Sequence, residues 1–261
     1  MKNITAALLI LTLIIAICGF IQTGMQPVRA SSVVADEYIS DFERKQDEFS
    51  GTFYMSGPEE SRGIALTFDD GPSPRNTPQI LDILDEYDVP GTFFLLGQEV
   101  EEHPWLVESI AREGHEIGNH SYTHRNFTTL DWAEVKENEI GRTGELIEDI
   151  TGEYPRLIRP PYGDISDRQL ELFSSESYQI VNWSVDVGDY ELENQPELLL
   201  ARAQLQLHGG AIVLMHDGGG DRSSTIEFLP ELIKMLEDEG FNFKTVSEII
   251  EQHQRPTVEA D

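Results

Sequence analysis

Five short clusters in this chain carry side chains suited to acid–base or metal chemistry. Asp69 and Asp70 end the apolar run Ile64–Phe68, immediately before the turn signal Gly71-Pro72. Successive strand side chains point to opposite faces, so the two carboxylates are expected to do different work. His120 and His124 stand four apart after another short apolar run. That spacing can present two imidazoles on one side of a helical turn, and neutral imidazole is a common metal ligand. Arg159 and Tyr162 lie in "RLIRPPYG", where two prolines stiffen the loop. Asp186 and Asp189 follow an apolar run in "NWSVDVGDY", and His216 ends "AIVLMH" ahead of a glycine-rich loop.

Taken singly, each cluster has an ordinary explanation: a solvated strand end, a satisfied histidine, a rigid turn or an acidic loop. Together they describe one pocket. Two imidazoles and one carboxylate make a three-ligand set that leaves a divalent ion open to water and substrate. Such an ion acidifies its water and polarises a carbonyl. A second carboxylate can then take the water's proton, and a protonated histidine opposite can supply one to a leaving amine or alcohol. One aspartate of the pair would grip the ion and its neighbour would serve the water.

For this to hold, distant segments must bring the five clusters together. Apolar runs predict strands at 63–68, 91–96, 115–118, 156–159, 178–184, 211–215 and 241–244. Between them, amphipathic spacing predicts helices at 77–87, 104–113, 131–150, 166–174, 196–207, 225–239 and 246–252. In 225–239, Ile226, Phe228, Leu229, Leu232, Ile233, Met235 and Leu236 follow helical spacing with charges between them. Alternating strands and helices imply parallel strands with helical crossovers, hence an α/β barrel or a doubly wound sheet. Both architectures gather sites at the C-terminal ends of strands, where all five clusters fall.

The 261 residues allow one sizeable domain plus a leader. With 18 Lys and Arg against 48 Asp and Glu, the formal charge is −30, a field that repels nucleic acid and anionic membranes. Such a charge suits salty or alkaline surroundings. Lys2 precedes the uncharged apolar stretch Ile4–Ile21, and Val28 and Ala30 have the small-residue spacing of a signal-peptidase site. Residues 1–30 are therefore expected to export the protein, with cleavage after Ala30. An uncleaved anchor is the alternative, since the stretch approaches the roughly 20 residues that span a bilayer. The only cysteine, Cys18, lies in this stretch, so the exported domain has no disulfide or thiol chemistry. Residues 31–60 are expected to be an acidic spacer, 61–252 the working domain and 253–261 a polar tail.

In order, "TFDDGP", "NHSYTH", "RPPYG", "DVGDY" and "LMH" resemble the motifs of the polysaccharide deacetylases, carbohydrate esterase family four, also called the NodB homology domain. The resemblance implies a distorted (β/α) barrel and metal-dependent removal of N-acetyl, sometimes O-acetyl, groups from amino sugars. It implies that Asp69 is the general base and that Asp70, His120 and His124 hold the metal, Zn2+ or else Co2+, Ni2+ or Mn2+. His216 is implied as general acid, held charged by Asp189, and Arg159 as the residue orienting Asp69. The Tyr162 backbone N–H is implied as an oxyanion donor, Leu214 as the acetyl methyl's wall, and Ser121 as a buttress of the ligand loop. The chain departs from the family pattern at Tyr190, where tryptophan is usual; tyrosine is a smaller sugar-facing wall with a polar tip. The expected substrate is an N-acetylated glycan of the cell envelope or extracellular matrix. Peptidoglycan is preferred because the protein is exported, ahead of chitin oligomers and poly-N-acetylglucosamine. A sugar-binding module without activity and an O-acetyl esterase are the alternatives.

Overall fold

The computed structural model describes residues 29–192 and 195–254. By its contacts the chain divides between Asp41 and Phe42. The first unit contributes the upstream part of helix α1 (Arg29–Glu48), and the second carries the sheet and the clusters above. The expected signal segment or anchor, residues 1–30, lies outside the described residues except for Arg29 and Ala30 at the start of α1. No helix among the described residues is long and apolar enough to cross a membrane.

Among the described residues, nine strands form one sheet: β1 (Phe53–Tyr54), β2 (Gly63–Asp69), β3 (Thr92–Leu95), β4 (Glu116–Asn119), β5 (Leu157–Ile158), β6 (Gln179–Val181), β7 (Val185–Asp186), β8 (Ile212–His216) and β9 (Asn242–Phe243). Their order is β1-β6-β5-β4-β3-β2-β8-β7, with β9 added beside β2. Every pairing of named strands is parallel. β6 and β7 lie far apart in that order, yet only residues 182–184 separate them in sequence. Three residues reach little more than about 10 Å. The sheet must therefore curl to bring its two sides together, and it forms a half-barrel around a buried interior.

β2 runs through the middle of this wall and is buried along its whole length. Alternation divides its side chains. Ile64, Leu66 and Phe68 join the outer core with Ile80 and Leu84 of α2 (Thr77–Glu86) and Phe228 and Leu232 of α8 (Ser223–Asp238). Ala65 joins the inner cluster, where Val246, Ile249 and Ile250 of α9 (Val246–Gln254) pack with Tyr54 and Ile212. Two layers thus share one strand. Thr67 and Asp69 continue the inner face upward, which is what aims Asp69 at the barrel's interior.

The remaining helices are α3 (Gly97–Glu102), α4 (Pro104–Arg112), α5 (Arg142–Thr151), α6 (Asp167–Ser175) and α7 (Pro196–Gln206); a π-helix at Glu134–Gly141 leads into α5. Of the strand expected at 178–184 only Gln179–Val181 forms, as β6; residues 182–184 are the link to β7, which begins at Val185. The stretch expected to be a spacer contains most of α1 and all of β1, with Phe42, Phe53 and Tyr54 buried. Packed structure in the second unit thus begins upstream of residue 61.

Candidate active site

β2 and β8 pair in a register that sets Asp69 beside His216 and Thr67 beside Leu214. β2 stops at Asp69, and Asp70 takes φ of 70°, a left-handed conformation uncommon outside glycine. Opposite strand faces therefore do not separate the two carboxylates, contrary to the expectation from alternation. Both approach His120, whose Nε2 lies 3.7 Å from Asp69 Oδ2 and 3.5 Å from Asp70 Oδ1. Their other partners distinguish them. Asp69 Oδ1 accepts a hydrogen bond from Arg159 Nη1 at 2.7 Å, whereas Asp70 Oδ1 is buried with no hydrogen-bond partner.

His124 Nε2 stands 3.3 Å from that same Asp70 oxygen, and the donor atoms of Asp70, His120 and His124 all lie within 4.8 Å of one another. Ligands about 2.1 Å from a tetrahedral ion sit about 3.4 Å apart, so this spacing suits a divalent cation. His120 Nδ1 is 2.7 Å from the Arg159 carbonyl oxygen, which can only accept. The proton is therefore on Nδ1, and Nε2 turns its lone pair toward Asp70. Burial, opposed by Asp70, pushes the His120 pKa down to about 3, so the ring is neutral at physiological pH. A buried carboxylate oxygen facing an imidazole lone pair, with no hydrogen-bond partner, is an arrangement that a cation resolves. The residues fit the ion their resemblance implies.

On the other side of Asp69, His216 Nδ1 donates to Asp189 Oδ1 at 2.7 Å. Asp189 Oδ2 accepts from the His216 backbone N–H and from the Thr225 hydroxyl, each at 2.8 Å. Burial alone would lower the His216 pKa, but the Asp189 carboxylate outweighs it and raises the value to about 9. His216 is thus charged near neutrality. For Asp69, burial raises the pKa against the pull of Arg159 and His216, which makes it a stronger base than an exposed carboxylate.

Arg159 is fully buried and is fixed on several sides. Its Nε donates to Val181 C=O, Nη1 to the Thr67 hydroxyl and Asp69, and Nη2 to Asn182 C=O. The guanidinium also lies over the Phe94 ring, 4.2 Å from its centroid. Removing it would strand a buried carboxylate, a loss on the order of 3–5 kcal/mol. Tyr162 has φ of 63°, and its ring, 58% exposed, packs edge-on against His124. Leu214 is buried two residues before His216, on the same strand face. Tyr190 is 47% exposed, with its ring edge toward His216 and its hydroxyl donating to Asp186 Oδ2 at 2.9 Å. Every site residue expected from the sequence falls in this one region.

The chain matches known proteins over most of its length. The polysaccharide deacetylase family model covers residues 56–181. A peptidoglycan-N-acetylglucosamine deacetylase of Bacillus cereus is 38% identical over 208 residues, which is 79% of this chain and 97% of that protein. The chain belongs to the polysaccharide deacetylase family. Among solved structures of such deacetylases, the Bc1960 peptidoglycan N-acetylglucosamine deacetylase superposes with a TM-score of 0.74 at 35% identity, covering 78% of this chain and 95% of that one. BA3943 of Bacillus anthracis, described as a pseudoenzyme of the same family, superposes at 0.72 with 32% identity, covering 78% and 70%. The family model stops at Val181, so Asp189 and His216 rest on their own geometry in this deacetylase-family chain.

Several supporting residues gave no motif-level signal. Asp217, directly after His216, is buried; it accepts from the Thr77 hydroxyl, and burial raises its pKa to about 7. The N–H groups of Asp217 and Gly218 both donate to the Asp69 carbonyl, holding the end of β2. Gly71 must be glycine here, since a Cβ would come within 2.2 Å of Asp217 Oδ2. Thr225 lies in the first turn of α8, outside the five clusters. Its contact with Asp189 could not be read from the chain.

Proposed function

We propose that this protein hydrolyses the acetamide of N-acetylglucosamine units in an envelope or extracellular polysaccharide, with peptidoglycan as the first choice. The N-acetylglucosamine deacetylases among its relatives and the leader-like N-terminus support that reading. The leader also supports secretion, or retention at the outer face of the membrane. Chitin oligomers and poly-N-acetylglucosamine are the competing substrates, and O-acetyl esters the competing bond.

Asp70, His120 and His124 hold the divalent ion, zinc by donor type, with Co2+, Ni2+ and Mn2+ as substitutes. When bound, it supplies Lewis acidity toward the acetyl carbonyl and lowers the pKa of a water. Asp69 accepts the proton of the attacking water at Oδ2, because Arg159 occupies Oδ1 and fixes the carboxylate's orientation. The Tyr162 backbone N–H donates to the developing oxyanion. Leu214 faces the acetyl methyl, and Tyr190 offers an aromatic wall to the sugar ring. His216 then gives its Nε2 proton to the departing nitrogen as the C–N bond breaks, while Asp189 keeps the ring charged and oriented.

The observation that carries this reading is the partnerless Asp70 oxygen between two histidine Nε2 atoms, on the strand end shared with Asp69. The experiment measures acetate released from defined N-acetylated glycans with zinc added. Release is expected from the wild type. Asp69→Asn should keep the metal and lose about 10²–10⁴-fold in turnover, the usual share of a general base. Asp70→Ala should lose metal and turnover together. The second reading, an inactive sugar-binding module, has a precedent in the pseudoenzyme relative. Tight glycan binding by wild type and Asp69→Asn, with no acetate from either, would establish it instead.

A further inference from the structure

Glu139 is almost fully buried on the π-helix Glu134–Gly141, and no role for it emerges from the chemistry above. Its carboxylate reaches the loop between the two histidines. Oε2 accepts from the backbone N–H of Tyr122 at 2.9 Å and of Thr123 at 2.8 Å, and Oε1 accepts from the Thr123 hydroxyl at 2.6 Å. One acid therefore holds two consecutive peptide groups and a side chain of the segment that links His120 to His124.

That segment could not hold its shape alone. Ser121 and His124 both have positive φ, at 77° and 58°, although neither is glycine. Residues in that region stay there only where surrounding contacts over-determine them. The contacts are traceable through every N–H from 120 to 124. His120 donates to Leu95 C=O, Ser121 to Asn119 Oδ1, Tyr122 and Thr123 to Glu139, and His124 to Ser121 Oγ. Glu139 accepts two of these five N–H groups, and on the loop's carbonyl side the N–H groups of Gly97 and Gln98 of α3 donate to Ser121 and Tyr122 C=O. The neighbouring Ile140 carbonyl accepts from Asn119 Nδ2, so the same π turn also steadies the start of the loop. π turns recur at functional sites. Here the wide turn aims a carboxylate and a carbonyl from adjacent residues at one target.

We propose that Glu139 is a positioning residue for the metal centre: by clamping Tyr122 and Thr123, it sets the separation of His120 and His124 and thereby the ion's affinity. The proposal rests on Asp70, His120 and His124 being the metal ligands. Contacts behind metal ligands commonly contribute 10–100-fold to affinity. Glutamine can still accept both N–H groups on its one carbonyl oxygen, whereas alanine accepts none.

The test titrates Zn2+ and Co2+ against a competing chelator in wild type, Glu139→Ala, Glu139→Gln and His124→Ala, with cobalt absorption reporting ligand geometry. Expected are a 10–100-fold weaker Kd and an altered cobalt spectrum in Glu139→Ala, with Glu139→Gln returning within a few-fold of wild type. Thr123→Val, which removes only the hydroxyl contact, keeps the question open to test should Glu139→Ala fail to fold; its Kd should weaken by a smaller factor. If the wild type binds metal and these variants bind it equally well with the same spectrum, the proposal is wrong, whatever happens to their melting temperatures. If wild type and His124→Ala bind equally, or neither binds, the ligand reading itself fails.

Discussion

At the scale of single residues, His216 and Asp189 offer the sharpest prediction. The folded pKa of His216, about 9, lies above its ordinary 6.5, because Asp189 outweighs the effect of burial. A group that binds its proton more tightly when folded stabilises the fold fully below pH 6.5, and that stabilisation is lost as pH rises through about 9. The proton available to the leaving amine disappears over the same range. Turnover should therefore fall as pH rises through about 9, and Asp189→Asn should move that limb to lower pH by removing the negative charge. A pH profile of kcat/KM in both forms checks this; a limb that stays put would mean another group sets it. Asp69, Asp70, His120, His124, Arg159 and His216 were legible in the chain because each ends or follows an apolar run. Glu139 carried a fainter signal. With Val135, Thr143 and Ile147 it occupies one buried face of a helical stretch, where a carboxylate is out of place.

At the scale of elements, periodicity located the long pieces and missed those without a period. The helix over 77–87 appears as α2 at Thr77–Glu86, and 225–239 as α8 at Ser223–Asp238. The two-residue strand β1 and the six-residue helix α3 were invisible, since neither is long enough to show a repeat. The helix expected at 131–150 does form, but its first turns are π, which the pattern of apolar positions does not distinguish. One boundary can be tested directly. α6 begins with a capping box in which Ser166 Oγ accepts from Gln169 N–H, and the Gln169 side chain accepts from Ser166 N–H. Ser166→Ala should destabilise the protein by about 1 kcal/mol in urea unfolding. Acetate release per folded molecule should not change, since α6, with Leu170 and Phe173 buried, packs beside β6 and supplies none of the site residues described above. A fall in release would mean that α6 reaches the site after all.

At the scale of the whole molecule, a formal charge of −30 should make stability depend on salt. Like charges repel in the compact state, and screening shortens to about 3 Å at 1 M salt. The melting temperature is therefore expected to rise from low to molar NaCl, and a flat response would remove the case for a saline or alkaline setting. The sequence by itself determined the alternation of strands and helices and the five clusters at strand ends, because those are local patterns of polarity and residue type. It could not decide how Asp69 and Asp70 are aimed. Alternation along β2 predicted opposite faces, but the strand ends between them and a left-handed turn carries Asp70 back toward the histidines. The sequence placed Arg159 beside Asp69 only through the family resemblance, and it could not show Thr225 behind Asp189 or Glu139 behind the histidine loop. Those contacts join segments 16 to 90 residues apart. The Arg159–Asp69 contact spans the two strands β4 and β3 and needs the curl that the short link between β6 and β7 imposes on the sheet.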